Sequence, residues 1–180
     1  MAEAKRTGPI DGRMLALEHV ALQPAAPATR FILRATEEIR ESMSDALGLS
    51  LPEKPRSSVA AGDIMAMWLG PDEWLVLGEI SAGLSEKVAA FGDGACSVVD
   101  VSHRNCAILV SGSAAEDVIA SGCPQDVSIA AFPTGTCTRT VLGKCEIVLF
   151  RAAADRFRIE CWRSYSDYVW RFLADAAKCA

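Results

Sequence analysis

The stretch VVDVSHRNCAILVSG, residues 98–112, decides the fold because it joins a short polar–apolar alternation to a continuous apolar strand. Successive side chains of an extended chain point to opposite faces, so Asp100 and Ser102 face one side and the intervening valines the other. His103 then lies opposite Ser102, and neighbouring strand residues cannot form the proton relay of a Ser–His–Asp triad. We therefore predict no catalytic residue here and interpret Asp100 and Ser102 as braces of a turn, since short polar side chains bond nearby backbone.

The adjacent His103 and Arg104 leave two interpretations open. They can contact a ligand, or they can form an ordinary strand-end pair in a hydrogen-bond network. An imidazole without a clustered partner in the sequence favours the second interpretation.

Outward from this stretch, the two halves of the chain repeat one order of elements. Each half reads as strand, helix, loop, hairpin and helix, with strands at 29–35 and 105–112 and hairpins at Pro71–Asp72 and Gly143–Lys144. The period is too long for a solenoid and indicates an internal duplication. The predicted fold class is α+β, with two strand–helix–hairpin–helix units and helices packed on largely antiparallel sheets.

The sequence similarity between the halves also predicts which strand residues are equivalent. FILRATEEIRESMSDALGL and AILVSGSAAEDVIASGCPQ align Phe31–Leu33 with Ala107–Leu109. We further predict a strand at 17–23 and a loop at 49–62.

The expected organisation is a polar tail followed by one domain. Residues 1–14 form the tail, and residues 15–180 form a single domain of two repeats, at about 15–92 and 95–180.

Composition excludes several classes of function. The net charge is −5 and the pI about 5.1, with lysines and arginines scattered singly, which argues against a nucleic-acid partner. No apolar run approaches the roughly 20 residues that span a bilayer, and the start lacks an apolar signal core. The hydrophobic fraction of 51% indicates either a generous core or apolar surface that meets a partner.

The cysteines are typical of a reducing cytoplasm. There are seven, without a C-x-x-C, and only two histidines, so a zinc site is poorly supported. Several lie in apolar strand-like runs, where a thiol packs as a small hydrophobe, and we interpret Cys123 in the same way. No G-x-G-x-x-G or P-loop is present, so we expect no redox cofactor in this chain.

Aromatic and arginine side chains are the candidates for a partner contact, because these residue types are enriched in interface hot spots. The candidates are Trp68, Trp162, Arg163, Tyr165 and Trp170. The alternative for the tryptophans is a place in the core, and Ser164 or Ser166 also gives this junction a helix-capping role. Arg139 meets either an anion or partner carboxylate, or only solvent on a strand face.

Residues 98–151 resemble the folate-binding fold of the aminomethyltransferases, the T-protein of glycine cleavage. The resemblance rests on DVSH, on a V-x-G-x-x-A helix start and on the hairpin sequence VLGK. In that family an acidic pair after this hairpin holds reduced folate, and Cys145 and Glu146 stand at those positions here. The resemblance implies Asp100, Ser102 and Glu146 as folate-pocket candidates. It leaves a stand-alone tetrahydrofolate-binding or aminomethyl-transfer protein as the alternative function.

The whole-chain pattern resembles the gamma-subunit family of the heterotetrameric sarcosine oxidases. The quoted motifs are GPDEWLVLG (70–78), VVDVSHR (98–104), SGCPQDV (121–127), AFPTGTCTRTVLGK (131–144) and CWRSYSDYVWRFL (161–173). This resemblance implies a structural, non-catalytic subunit of a complex that demethylates sarcosine to glycine. It also implies alpha, beta and delta partner subunits, which hold FAD, FMN, NAD and zinc, and self-association of the chain when it is isolated.

Overall fold

The computed structural model of the chain describes residues 7–91 and 96–180, which build two β-sheets with helices on their outer faces. The first repeat contains β1 (Leu15–Ala16), β2 (Ala21–Pro24), β3 (Ala28–Ala35), α1 (Glu37–Leu47), β4 (Ser58–Ala61), β5 (Ile64–Gly70), β6 (Glu73–Glu79), a 3₁₀ turn (Ile80–Ala82) and α2 (Leu84–Ala89). The second repeat contains β7 (Cys96–Asp100), β8 (Asn105–Ser111), α3 (Ala115–Ala120), β9 (Cys137–Leu142), β10 (Cys145–Ala153), β11 (Arg156–Trp162), a 3₁₀ turn (Arg163–Tyr165) and α4 (Ser166–Ala177).

Five strands follow equivalent orders in the two sheets, and sheet II has β1 as a sixth strand at one edge. Sheet I runs β4-β5-β6-β3-β7, and sheet II runs β9-β10-β11-β8-β2-β1, with every neighbouring pair antiparallel. The predicted α+β class with duplicated strand–helix–hairpin–helix units is confirmed. None of the helices in the described ranges is long and apolar enough to cross a lipid bilayer.

The strand that leads each repeat pairs with the sheet of the other repeat. β2 pairs with β8, and β7 pairs with β3. Beyond the strand ends, the amide of Ala25 donates to the carbonyl of Ala107 at 2.9 Å, and the amide of Val101 donates to the carbonyl of Arg30 at the same distance. The two repeats therefore complete one another by exchanging an edge strand.

The structural correspondence between the two repeats is shifted by one residue from the alignment that their sequence similarity predicted. In the first repeat, Ala28 of β3 pairs with Glu79, the last residue of β6 before its 3₁₀ turn. In the second repeat, Asn105 of β8 pairs with Trp162, the last residue of β11 before its 3₁₀ turn, so Ala28 and Asn105 are equivalent. Phe31 therefore corresponds to Ile108, whereas the sequence aligned it with Ala107. The reason is burial, because Phe31 and Ile108 occupy the same place on the helix-covered face of their sheets.

Three local predictions are corrected by backbone hydrogen bonds. The strand expected at 17–23 is interrupted by a turn, in which the amide of Leu17 donates to the carbonyl of Val20 at 2.9 Å. The strand through the DVSH motif ends at Asp100, because residues 102–104 form a turn whose following amide, at Asn105, donates back to Val101 at 2.9 Å. The loop expected at 49–62 contains β4, an edge strand with small side chains and no apolar alternation.

Three apolar clusters separate four layers. One lies between sheet I and its helices α1 and α2, and includes Leu33, Met43 and Trp74. A second lies between sheet II and α3 and α4, and a third, with Leu75 and Phe150, fills the space between the sheets. Ile10 belongs to the second cluster and is buried, although the sequence placed it in the polar tail.

The close approach of the β1–β2 turn to the end of β8 requires a glycine at position 112. Gly112 has a φ of 120°, and a Cβ there would lie 2.3 Å from the carbonyl oxygen of His19. We predict that Gly112→Ala lowers the free energy of unfolding by more than about 2 kcal/mol, measured by urea denaturation, because both the backbone and the neighbour must move.

The matched control is Gly62→Ala in the β4–β5 turn. Gly62 also has a positive φ, of 56°, but a Cβ there meets nothing within 4 Å. This variant is expected to lose only about 1 kcal/mol. Equal losses for the two variants would contradict the steric explanation for Gly112.

Candidate functional site

A cavity of about 410 Å³ opens where the two leading strands cross between the sheets. Pro24 at the end of β2 and residues 25–27 line it, as do Ser102 and His103 in the turn after β7 and Asn105 at the start of β8. Arg30 and Arg163 also line it. The cavity thus follows directly from the strand exchange, since both crossover segments border it.

The DVSH motif forms a brace at this cavity. Asp100 accepts a hydrogen bond from the Ser102 amide at 2.8 Å, which closes a tight turn. The Ser102 hydroxyl accepts from the Arg30 amide at 2.8 Å and donates to the Arg30 carbonyl at 3.3 Å. The turn brace at Asp100 was predicted, whereas the tie that the Ser102 hydroxyl makes from the end of β7 to β3 was not. His103 is exposed at the rim of the cavity.

A buried ion pair between the two sheets forms the floor beside this brace. Arg30 on β3 donates through Nε to Glu160 on β11 at 2.7 Å, and both side chains are almost fully buried, at 4% and 1% exposed. Arg158 donates to the second carboxylate oxygen of Glu160 at 2.9 Å. Glu160 is thus held between two guanidinium groups, one from each repeat.

This ion pair breaks the pseudo-symmetry of the duplicated sheets. In the register between repeats, Arg30 corresponds to Ala107 and Glu160 corresponds to Leu77. The equivalent place in the other half is therefore apolar. This pair was not predicted from the sequence. Arg156, Arg158 and Glu160 alternate on one face of β11, as charges do on a solvent-exposed strand, so no local pattern marks Glu160 as buried.

The three folate-pocket candidates do not line one cavity. Asp100 and Ser102 border the large cavity, whereas Glu146 is exposed on β10 and borders a separate groove of about 30 Å³. The preceding residue, Cys145, points into the second core cluster and is buried.

The partner-contact candidates divide between surface and core. Trp162 and Tyr165 are 38% and 43% exposed, and their rings stack at 5.7 Å with an interplanar angle of 17°. The guanidinium carbon of Arg104 lies 5.1 Å from the Trp162 ring centre, which completes a stack of cation, indole and phenol. We call Arg104, Trp162 and Tyr165 the aromatic stack.

Arg163 stays at the edge of the aromatic stack. Its amide donates to the Arg104 carbonyl at 2.7 Å, and its guanidinium donates to the Thr7 carbonyl at 3.1 Å. Trp170 is 7% exposed inside the second core cluster, so burial leaves it little surface for a partner. Trp68 is half-buried against the first core cluster.

Other singled-out residues have partners within the chain. Arg139 pairs with Glu73 on the other sheet, which neither interpretation, an anion or partner carboxylate or only solvent, expected. Cys123 is buried, with its sulfur 3.9 Å from the Thr140 hydroxyl, in accord with a packing role. Over the described ranges, no three His, Cys, Asp or Glu side chains are grouped to hold a metal ion.

The fold itself defines a class of protein. The aminomethyltransferase T of the glycine cleavage system from Bartonella henselae superposes with a TM-score of 0.68, covering 86% of this chain and 45% of that one, at 13% identity. At that identity the likeness concerns the fold alone. The chain therefore has the folate-binding-domain-like fold of the aminomethyltransferases, as the sequence predicted.

The sequence comparisons define the family within this class. The sequence model of the "Sarcosine oxidase, gamma subunit family" matches residues 35–179. The sarcosine oxidase subunit gamma of Corynebacterium sp. (strain P-1) is 31% identical over 182 residues, covering 98% of this chain and 86% of that protein. A chain of the heterotetrameric sarcosine oxidase from Corynebacterium sp. U-96, in complex with pyrrole 2-carboxylate, superposes with a TM-score of 0.86 at 26% identity, covering 95% and 94%.

The chain belongs to the sarcosine oxidase gamma subunit family. The family places it in a multi-subunit enzyme, so its partners are other subunits of that enzyme. The alternative of a stand-alone folate-binding or aminomethyl-transfer protein is not favoured by these matches.

We predict that Glu160→Leu destabilises the protein by about 3–5 kcal/mol in urea denaturation, because it leaves the Arg30 guanidinium buried without its counter-charge. The double variant Arg30→Ala/Glu160→Leu copies the residue types of the equivalent place in the other half and should recover much of this loss. A double variant as unstable as the sum of the two single variants would contradict a direct coupling between these side chains.

Proposed function

We propose that this chain is a structural, non-catalytic gamma subunit that meets its partner subunits through the aromatic stack. The observation that carries the proposal is the pair of stacked aromatic rings exposed at the surface beside an arginine at the end of β11. Tryptophan, tyrosine and arginine are the residue types that most often anchor an interface.

The aromatic stack is ordered before any partner binds. The Arg104 carbonyl accepts the Arg163 amide at 2.7 Å, and Ser166 donates to the Arg163 carbonyl at 2.8 Å where α4 begins. Side chains already held in place lose little conformational freedom on association, which favours affinity. Trp162 also borders the groove that holds Glu146 and Arg139, so charged groups rim the aromatic centre.

We further propose that the partners are the alpha, beta and delta subunits and that they hold the FAD, FMN, NAD and zinc of the complex. In support, the relative from Corynebacterium sp. U-96 is a chain of an enzyme described as heterotetrameric. Apolar side chains of the three clusters also cover the faces of both sheets and fill the space that a flavin ring would need there.

We also propose that residues 15–180 form one domain, supported by the third apolar cluster and the strand exchange that join the two repeats. A cytoplasmic location is supported by the seven cysteines, several of which pack as core side chains. Any folate contact would use Asp100 and Ser102 at the cavity, with Glu146 outside it.

We predict that Trp162→Ala weakens assembly with the co-expressed partner subunits by about 1–2 kcal/mol, or roughly 5–30-fold in Kd. The measurement is affinity of the purified variant for the complex that lacks it, by biolayer interferometry. Thermal unfolding of the isolated variant should change little, since the Trp162 side chain is 38% exposed and lies outside the three clusters.

The matched control is Tyr168→Ala. Tyr168 has the same exposed fraction of 38% but packs on α4 against Phe172, with ring centres 6.3 Å apart, and its ring is not part of the aromatic stack. Its loss should leave the affinity for the partner subunits unchanged. Normal affinity of Trp162→Ala, or equal weakening by both variants, would refute the assignment of this surface.

A further inference from the structure

Two cysteine side chains face each other across the central strands of sheet II. Cys106 on β8 is paired directly with Cys161 on β11, and their sulfur atoms are 3.8 Å apart. Opposite residues of an antiparallel ladder have Cα atoms about 4.5–5.5 Å apart, within the range of about 4.4–6.8 Å that a disulfide requires. Side-chain rotation alone can therefore bring the two sulfur atoms to bonding distance.

The two thiols differ in access to solvent. Cys106 is half-buried and is one of the residues that line the 410 Å³ cavity. Cys161 is 1% exposed and lies behind it in the second core cluster. This arrangement separates a thiol that meets a reagent from a thiol that can only react with its neighbour.

The pKa values of the two thiols are also shifted in opposite directions, that of Cys106 downward and that of Cys161 upward. A hydrogen bond from Cys161, and then one from Ser166, lowers the pKa of Cys106 against the opposing effect of burial. The same hydrogen bond raises the pKa of Cys161, and burial raises it further. The Glu160 carboxylate raises the pKa of Cys106 and the Arg30 guanidinium lowers it, so these two nearby charges oppose one another.

We propose that Cys106 and Cys161 are a peroxide-sensitive thiol pair, in which Cys106 is oxidised first and Cys161 then closes a cross-strand disulfide. The Cys106 thiolate attacks one oxygen of hydrogen peroxide, the O–O bond breaks, and hydroxide leaves and is protonated to water. Cys106 then carries a sulfenic acid. The Cys161 thiol attacks that sulfur, the S–O bond breaks, and the departing hydroxide takes up the Cys161 proton as a second water. Two electrons pass from the pair to the peroxide.

The other buried cysteines lack this combination of features. Burial raises the pKa of Cys137 to about 12, and its thiol donates to the Ser57 carbonyl at 3.2 Å. Cys123 and Cys145 are buried in the second core cluster. Only the pairing of Cys106 with Cys161 joins a cavity-lining thiol to a second thiol directly across the ladder, among the residues that the structure describes.

The disulfide would lie beside the proposed contact surface. The next pair of the ladder joins Asn105 to Trp162, so a bond between Cys106 and Cys161 would tie the strand ends that carry the aromatic stack. This inference rests on the proposed function only for its source of peroxide, because an oxidase that reduces oxygen would release hydrogen peroxide close to this chain. The test adds peroxide to the chain alone, so the thiol proposal and the proposed function can fail separately.

The test is peptide mapping of the reduced full-length chain after treatment with a small excess of hydrogen peroxide. Loss of two hydrogen atoms, about 2 Da, and a link between the tryptic peptides 105–139 and 159–163 are expected, both reversed by dithiothreitol. Before oxidation, a small alkylating reagent should modify Cys106 about tenfold faster than Cys161.

Variants assign the sulfur atoms and their roles. Cys123→Ser removes a buried thiol from the same tryptic peptide as Cys106 and should leave the link intact, whereas Cys106→Ser should abolish it. Cys161→Ser should trap a sulfenic acid at Cys106 that a dione probe labels. The mapping of the unaltered chain stands even if a variant fails to fold.

Three results would overturn the proposal. The first is a link from Cys161 to Cys145, or from Cys106 to a cysteine other than Cys161. The second is overoxidation of Cys106 without any link. The third is an unmodified pair at a peroxide concentration that already oxidises the exposed Cys179.

Discussion

The buried contact between the Arg30 guanidinium and the Glu160 carboxylate joins the two sheets beside their shared apolar cluster, in addition to the more exposed pair of Arg139 with Glu73. Apolar packing tolerates sliding of one sheet over another, but a desolvated ion pair is stable only in one geometry. Because Ser102 holds the backbone of Arg30 on both sides, the same contact fixes the end of β7 and thereby the exchange of leading strands. The cavity at the crossover, and the cysteine that lines it, take their places from this arrangement.

Local patterns in the sequence were enough to predict the duplication, the hairpins and most helices, because apolar periodicity and turn residues act over short distances. β4 escaped prediction since its small side chains lie at a sheet edge, where pairing with β5 and not burial defines the strand. The one-residue error in aligning the repeats arose because letter similarity ignored which face each side chain buries. The exchange of β2 and β7 depends on contacts between distant segments, which no local pattern contains.

The candidate site was predicted unevenly for related reasons. The bond from the Ser102 amide to the Asp100 carboxylate was predicted as a turn brace, since Asx-type turns are local. The bonds of the Ser102 hydroxyl to Arg30, 72 positions away, were not predicted. The partner of Arg30 was not foreseen, because Glu160 is 130 positions away in the chain. Of the tryptophan candidates, Trp162 is the last residue of β11 and is exposed, whereas Trp170 lies within α4 and is buried. The hydrophobic side chains therefore fill three apolar clusters, while the aromatic stack and single aliphatic side chains such as Ile80 and Val99 stay exposed.

The central claim is that this chain acts only as part of a sarcosine oxidase. The most direct measurement is affinity purification of the tagged chain from its own cells, followed by native mass spectrometry and an assay of sarcosine-dependent oxygen uptake. The account predicts one copy of this chain in a complex with three different subunits, oxygen uptake by that complex, and none by the separated chain. Recovery of the chain without such subunits, or sarcosine oxidation by the chain alone, would contradict it.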